Sequence, residues 1–455
     1  MSQAVNVASV IDNNPVSRLQ IRVVVGSFLI MMFDGFDTQS IAFVAPAIAS
    51  DWHLSSATFG PIFAAALLGS IVGGMLLGSL ADRFGRRIVL ALCLFVFGSL
   101  NMACAYATSI ESLTILRFLC GIGLGGAIPN LLAMVSEFAP ARRRATLVAT
   151  TFCGFPLGAV LGGLVSIPLI AKFGWPSVMF LGGLLPLCTA PLLLLVFPES
   201  IKFLMLLPHR GAAVAAILRR IDSKADFPAN AVFVLNEEKI GRAKLRSLFR
   251  NGLAAGSVFL ALALFMSLLV IYCLINWIPI LLNRAGLPLH DALMGTILFN
   301  LAGIPGSFLC TWMIDSRLAK PFPILIAAYF LGAISVGFIG VAGITFWPLM
   351  ISIFISGFLI IGVQLSLTAV IANYYPTALR GTGVGWSVAV GRFGSLSGPL
   401  LGGMLVASGG SPSMMFMISA LAPLCAGLSL LAFVKLSPGG SSAQPVQVPM
   451  AIAET

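Results

Sequence analysis

The chain has 455 residues, of which 59% are hydrophobic and only 9% charged, and its mean hydropathy is +1.04. Soluble domains run at roughly 45 to 50% apolar and 25% charged, so a water-soluble fold is excluded for most of this sequence. The net charge of +11 must then be read by where the basic residues fall relative to a membrane, not as a sign of nucleic acid.

Apolar runs of 20 or so residues are long enough to cross a hydrocarbon core of roughly 30 Å as helices, which satisfy their own backbone hydrogen bonds. Taken in order and bounded by turn and charge signals, the expected spans lie near residues 20–48, 57–80, 87–107, 112–138, 145–171, 177–197, 252–283, 289–314, 321–342, 346–375, 380–407 and 412–435. One long polar interval, 198–251, separates six spans from six. Within it, Gly211 to Ile221 has the two-faced pattern of a helix lying at the cytoplasmic surface. The predicted architecture is an all-α membrane protein of twelve transmembrane helices in two six-helix pseudo-symmetric bundles. The first bundle is 1–197, the linker 198–251, and the second bundle with a short cytoplasmic tail 252–455.

The loops alternate in charge. Inner loops carry Arg18, Arg22, Arg83, Arg86, Arg87, Arg142, Arg143, Arg144, Arg317, Lys320, Arg380 and Lys435, whereas the outer loops hold Lys172 and Arg284. By the positive-inside rule both termini are cytoplasmic. The span at 20–48 is longer than the apolar core of a cleavable signal peptide, so an uncleaved, multi-pass inner-membrane protein is expected. The eight cysteines all fall in apolar stretches without metal or disulfide spacing. His53, His209 and His290 lie in loops away from any intramembrane acid, so no catalytic cluster, enzyme activity or metal is expected. Gly121-x-Gly123-x-x-Gly126 matches a dinucleotide-binding pattern but sits inside an apolar span with no strand before it. Like Gly69, Gly73 and Gly78, and like Gly154, Gly158 and Gly162, it reads as small residues at a helix–helix seam.

The halves repeat. Asp82, after span two, and Asp315, after span eight, are offset by 233 residues, and Pro140-x3-Arg144-Ala-Thr146 matches Pro376-x3-Arg380-Gly-Thr382 at an offset of 236. Parallel repeats of six spans are a transporter plan with the substrate held near the membrane midplane.

The loop Gly78-Ser-Leu-Ala-Asp82-Arg83-Phe-Gly85-Arg86-Arg87 resembles the signature of the major facilitator superfamily between its second and third spans, and Arg317 and Lys320 resemble its weaker second copy. Arg117-Phe-Leu-Cys-Gly121 and Phe197-Pro198-Glu199-Ser200 extend the likeness over nearly the whole chain. Asp34-Gly35-Phe36-Asp37-Thr38 in span one looks like the D-G-x-D element of the aromatic acid:proton symporters, as do Gly121 to Asn130 and Ser136-Glu137-Phe-Ala-Pro140 in span four. The resemblance implies a central cavity walled by spans one, four, seven and ten.

Asp34 and Asp37 lie about halfway along span one and about 4.5 Å apart along a helix axis. Carboxylates at membrane depth are costly and usually serve ions or protons, and a close pair raises the proton affinity of one member. Both are candidate proton-coupling residues; a structural alternative is that one caps a helix broken at Gly35. Arg117 lies at a depth from which it could approach Asp37. Arg392 in span eleven has no acidic residue at membrane depth in its half of the chain, which fits a counter-ion for a substrate carboxylate or, alternatively, a tether to carbonyl groups. The candidate substrate-contacting set is Asp37, Thr38, Arg117, Asn130, Tyr272, Asn276, Trp277, Gln364 and Arg392, with Asn373 nearby and Trp277 alternatively an interfacial anchor. Asp82, Arg83, Arg86, Glu137, Arg144, Asp315, Arg317 and Arg380 are candidate gating residues, Glu137 being expected beside Arg142 to Arg144. The function that follows is proton-coupled import of an aromatic carboxylate such as a benzoate or hydroxybenzoate, with another small organic anion, a dicarboxylate or a hydroxy acid, as the alternative. Protons and the lipid bilayer are the expected partners, with no cofactor, no nucleic acid and a monomeric chain.

Overall fold

The computed structural model describes residues 4–207, 210–222, 225, 227, 231–234, 245–249, 252–316, 320–343 and 345–437. Its main elements are β1 (Ala4–Asn6), α1 (Val7–Asn13), α2 (Arg18–Asp51), α3 (Phe59–Phe84), α4 (Arg86–Cys104), α5 (Ile110–Phe138), α6 (Arg144–Phe152), α7 (Gly154–Phe173) and α8 (Pro176–Val196). There follow α9 (Ile201–Leu206), α10 (Gly211–Ile221), β2 (Val232–Val234), α11 (Ala254–Arg284), α12 (Leu289–Asp315), α13 (Pro321–Val341), α14 (Phe346–Tyr374), α15 (Thr377–Ala407), α16 (Pro412–Ser419) and α17 (Leu421–Leu436).

Among the described residues, eleven helical segments are long and apolar enough to cross a membrane, against the twelve expected. The difference is α15. It has 31 residues, ample length for a bilayer, but Gly, Ser and Thr residues and Arg392 dilute its hydropathy. Two expected spans are also interrupted. The span at 145–171 breaks between α6 and α7 at Cys153, and the last one between α16 and α17 at Ala420. Pro156 and Pro423 lie four residues beyond Phe152 and Ser419 and have no N–H to return to those carbonyls. Pro46, Pro129 and Pro279 leave their helices continuous, so proline alone does not foretell the breaks.

By proximity of Cα atoms the chain falls into two compact units, one made of Met1–Ser40, Ala65–Gly162 and Leu169–Lys239, the other of Ile41–Ala64, Gly163–Pro168 and Ile240–Thr455. In the first, α2 lies so close to α7 that a Cβ on Gly35 would sit 1.9 Å from the Phe155 carbonyl oxygen. The α3–α5 seam is equally tight: a Cβ on Gly73 would meet the Ile122 carbonyl oxygen at 2.0 Å. Without a hydrophobic drive between helices in lipid, such backbone approach is what supplies dispersion and packing. In the second unit, Gly394 of α15 is pressed on the Phe265 carbonyl of α11, and Gly357 of α14 on the Phe299 carbonyl of α12. These correspond, span for span, to the two pairings of the first half, so the repeat read from loop landmarks is also written in the seams. Gly123 and Gly126 let α4 approach at Phe97 and Cys93; these glycines pack helices.

The linker and the amino terminus fold together. β1 pairs with β2 in parallel, Ala4 opposite Val232, and Val7 and Ile11 of α1 share a buried cluster with Val214, Leu218 and Ile221 of α10. The expected helix at Gly211 to Ile221 is therefore present, with its apolar face covered by protein. The Asp12 carboxylate accepts from the Ala141 N–H at 2.6 Å, and Arg142 donates to the Asn14 carbonyl.

Candidate functional site

Helix α2 runs unbroken through Gly35, which removes the capping alternative for the acid pair. Asp34 and Asp37 are both buried, at 6% and 1% exposure. Arg117 of α5 reaches Asp37 as a two-pronged fork, Nη1 to Oδ1 at 2.7 Å and Nη2 to Oδ2 at 3.0 Å. Nη2 also donates to the Asp37 carbonyl, and Nη1 to Asn101 Oδ1 of α4 at 3.2 Å. The guanidinium has no exposed surface. A buried ion pair offsets its desolvation only with this kind of geometry, and the charge on each partner depends on the other. Thr38 Oγ1 donates to Asp34 Oδ1 at 3.3 Å, one turn away from the fork. The structure thus brings Asp34, Asp37, Thr38 and Arg117 into one constellation. Asn101 joins it unannounced; its only signal was an amide in the otherwise apolar third span.

Other expected contacts are already spent. Asn130 is 3% exposed, and its Nδ2 donates to the Gly126 carbonyl at 2.8 Å and approaches the Leu77 carbonyl at 3.5 Å. It stitches α5 to α3 beside the proline. Trp277 is 1% exposed, its indole N–H donates to the Pro399 carbonyl at 3.1 Å, and its ring packs edge-on to Phe63 at 5.7 Å. No face of that indole is open for stacking, nor is it an interfacial anchor. Asn276, also buried, donates to the Tyr272 carbonyl. Tyr272, Gln364 and Arg392 are half-buried and Asn373 exposed. Among the described residues, the Arg392 side chain makes no ion pair or hydrogen bond; its carbonyl accepts from Ser395.

Where α4 begins and α5 ends, Glu137 pairs with Arg86, not with the arginines that follow it in sequence. Arg142, Arg143 and Arg144 are exposed, and Arg142 donates to the Asn14 carbonyl. A carboxylate at the end of a helix is reached by neighbours in space, and α4 starts beside it. Glu137 Oε2 accepts from Ser200, and Glu199 Oε1 from the Arg87 backbone N–H at 3.1 Å. Glu199 thereby caps the amino end of α4 from a distant segment, where the helix dipole favours a negative charge. Sequence reasoning gave Glu199 and Ser200 no role. Asp82 and Arg83 are exposed, and the Arg83 guanidinium lies 5.7 Å from the Phe84 ring. Arg380 is half-buried, its Nε unpartnered among the described residues. Asp315 closes α12, its side chain outside the described set, as is Arg317.

Gly85 links this network to the α3–α4 turn. Its φ is +93°, and a Cβ there would lie 2.6 Å from Glu199 Oε2. Gly85→Ala is expected to lower stability by about 1–3 kcal/mol, read as an earlier unfolding transition of the detergent-solubilised protein. An unchanged transition would show that the turn relaxes freely.

A family model described as Major Facilitator Superfamily matches residues 27–396. The chain is 37% identical to a gallate transporter of Pseudomonas putida over 94% of its own length and 95% of that protein's. It is 36% identical to a 4-hydroxybenzoate transporter of Pseudomonas aeruginosa, covering 90% of this chain and 91% of the other. Among solved structures it resembles a D-xylose-proton symporter with a TM-score of 0.70 at 19% identity, over 94% of this chain and all of that one, a likeness of fold.

Proposed function

The chain belongs to the Major Facilitator Superfamily, within its aromatic acid:proton symporter family, and we propose that it imports an aromatic monocarboxylate of the hydroxybenzoate or gallate kind together with protons. The carrying observation is the buried fork between Asp37 and Arg117 with Asp34 one turn away. A carboxylate held this way inside a membrane is a charge whose loss must be felt by its partner. When Asp37 accepts a proton, Arg117 is left with neutral acceptors, and the local electrostatics of α2 and α5 change sign of preference. That change drives alternating access, with Asp34 as the second proton carrier and the proton as the only coupling ion. Arg392, half-buried in α15 with no acidic partner among the described residues, takes the substrate carboxylate through two parallel hydrogen bonds. Arg86 and Glu137 act as a cytoplasmic latch. The basic inner loops orient the protein in the inner membrane with both ends in the cytoplasm.

Uptake of labelled 4-hydroxybenzoate into proteoliposomes, acid outside, tests this directly. Accumulation is expected to collapse on adding a protonophore and to be competed by gallate and benzoate in preference to dicarboxylates. Gradient-independent uptake, or better competition by a dicarboxylate, overturns the reading. Arg392→Gln is expected to raise KM about ten- to hundredfold, the worth of a charged hydrogen-bonded pair, with the protein still folded.

A further inference from the structure

We propose that Asn101 is a positioning residue of the proton-coupling step: it holds the Arg117 guanidinium in register while Asp37 is protonated, and so keeps coupling assigned to Asp37. The inference rests on the symport reading above and extends it to a residue on a different helix.

Arg117 has three acceptor groups, four oxygens in all, on its two terminal nitrogens. Two are the carboxylate and carbonyl oxygens of Asp37; the third is Asn101 Oδ1, 3.2 Å from Nη1. Of these, the carboxylate changes charge in the transport cycle. The Asn101 oxygen does not: it is neutral, accepts equally in both states, and comes from α4. The amide orientation follows from chemistry, because arginine has only donors to offer. Once Asp37 is neutral, a guanidinium held by Asp37 alone would be free to turn toward another carboxylate, and α2 carries one, Asp34, three residues earlier. A fixed third point of attachment prevents the exchange.

Asn101 is itself fixed. It is fully buried, and Gly182 of α8 backs onto its amide, where a Cβ would lie 2.8 Å from Nδ2. Its Nδ2 and Arg117 Nε have no hydrogen-bond partner among the described residues, so the amide is retained at this depth for the one bond it makes to Arg117. An unsatisfied donor in an apolar interior is unfavourable, and an apolar side chain would avoid it. The titratable neighbours are few. Asp37 meets the guanidinium from α2, with Asp34 three residues earlier on that helix, and Cys104 of α4 and Cys120 of α5 are the neighbouring thiols. At the contact, α8 offers Gly182, which does not titrate.

The test compares two activities of the same purified protein in proteoliposomes, using 4-hydroxybenzoate. Counterflow exchange needs the loaded carrier to turn over without net proton movement; gradient-driven accumulation needs coupling. Asn101→Leu, with the same branching and number of side-chain heavy atoms but no acceptor, is expected to keep counterflow within about threefold of wild type while accumulation falls about tenfold or more, a loss within the usual range of coupling between sites. Asn101→Asp gives Arg117 a second carboxylate that can hold its charge while Asp37 is protonated, so the dependence of uptake on external pH between about 5.5 and 8 should change shape. A merely structural asparagine predicts that both activities fall in proportion and that the pH profile keeps its shape; either result, or unchanged accumulation in Asn101→Leu, overturns the proposal. Should Asn101→Leu not fold, the pH profile of Asn101→Asp decides. If wild type itself shows counterflow without gradient-driven accumulation, it is the symport reading that fails.

Discussion

Asp37→Asn is expected to abolish gradient-driven accumulation, with uptake falling to the level of empty liposomes. The substitution does two things. It removes the titrating group, and it leaves the Arg117 charge, with no exposed surface, facing an amide. Breaking a buried pair by removing one partner costs about 3–5 kcal/mol, so a lower yield of folded protein is part of the expected result. The double variant Asp37→Asn with Arg117→Gln separates the two effects. Removing both charges relieves the uncompensated cation, and the difference between single and double variants measures the pair. Thermal stability should recover in the double variant by about 2 kcal/mol or more, while accumulation stays absent. A stable Asp37→Asn protein that concentrates substrate under a pH gradient would end the coupling role assigned to this carboxylate.

Gly35→Val is expected to remove most of the folded protein. The position lies between the two acids, and its built Cβ falls 1.9 Å from the Phe155 carbonyl oxygen. A backbone oxygen cannot swing aside, so α2 and α7 would have to separate by more than an ångström along a seam made of such contacts. Overpacking a close interface costs typically 1–3 kcal/mol and more where nothing can move. Here about 4 kcal/mol or more is expected, enough to deplete folded carrier. Gly385→Ala is the internal control, since a Cβ there meets nothing within 4 Å. It should extract and unfold as wild type does. Equal yields of both variants in size-exclusion profiles would show that the seam is plastic.

Much of this was readable in the chain before any coordinates. The spans follow from hydropathy because the bilayer demands self-satisfied helices, and the depth of Arg117 in span four placed it within reach of Asp37. The glycines at 69, 73, 154, 158 and 162 mark close helix packing in the sequence, and the structure supplies their partners, α5 for the first two and α2 for the others. What the sequence hid depends on side-chain direction and on contacts between distant segments. By sequence Glu137 falls beside the arginines that follow it, yet those are exposed while Arg86 reaches it from α4. Trp277 and Asn130 stand out as binding groups because aromatic and amide residues in a span are rare; the Trp277 indole N–H instead meets the Pro399 carbonyl of α15, and the Asn130 amide meets the Gly126 carbonyl one turn back in its own helix. Asn101 carries no comparable signal, being a neutral amide in an apolar run. The low hydropathy of α15 follows from its many small residues, which trade apolar content for close approach.

The ladder between Ala4–Asn6 and Val232–Val234 closes the first six spans into a ring fastened at its own two ends. A three-residue ribbon is a weak fastener by itself, and it survives because α1 and α10 are clamped over a common apolar cluster. Mechanical tension arriving at Val232–Val234 is therefore delivered to Ala4–Asn6, and through Asp12 to the turn at Ala141 that precedes α6. A reporter dye or affinity handle grafted onto the first few residues would load that joint, so the strain it imposes would travel into the transport cycle from an end that looks dispensable.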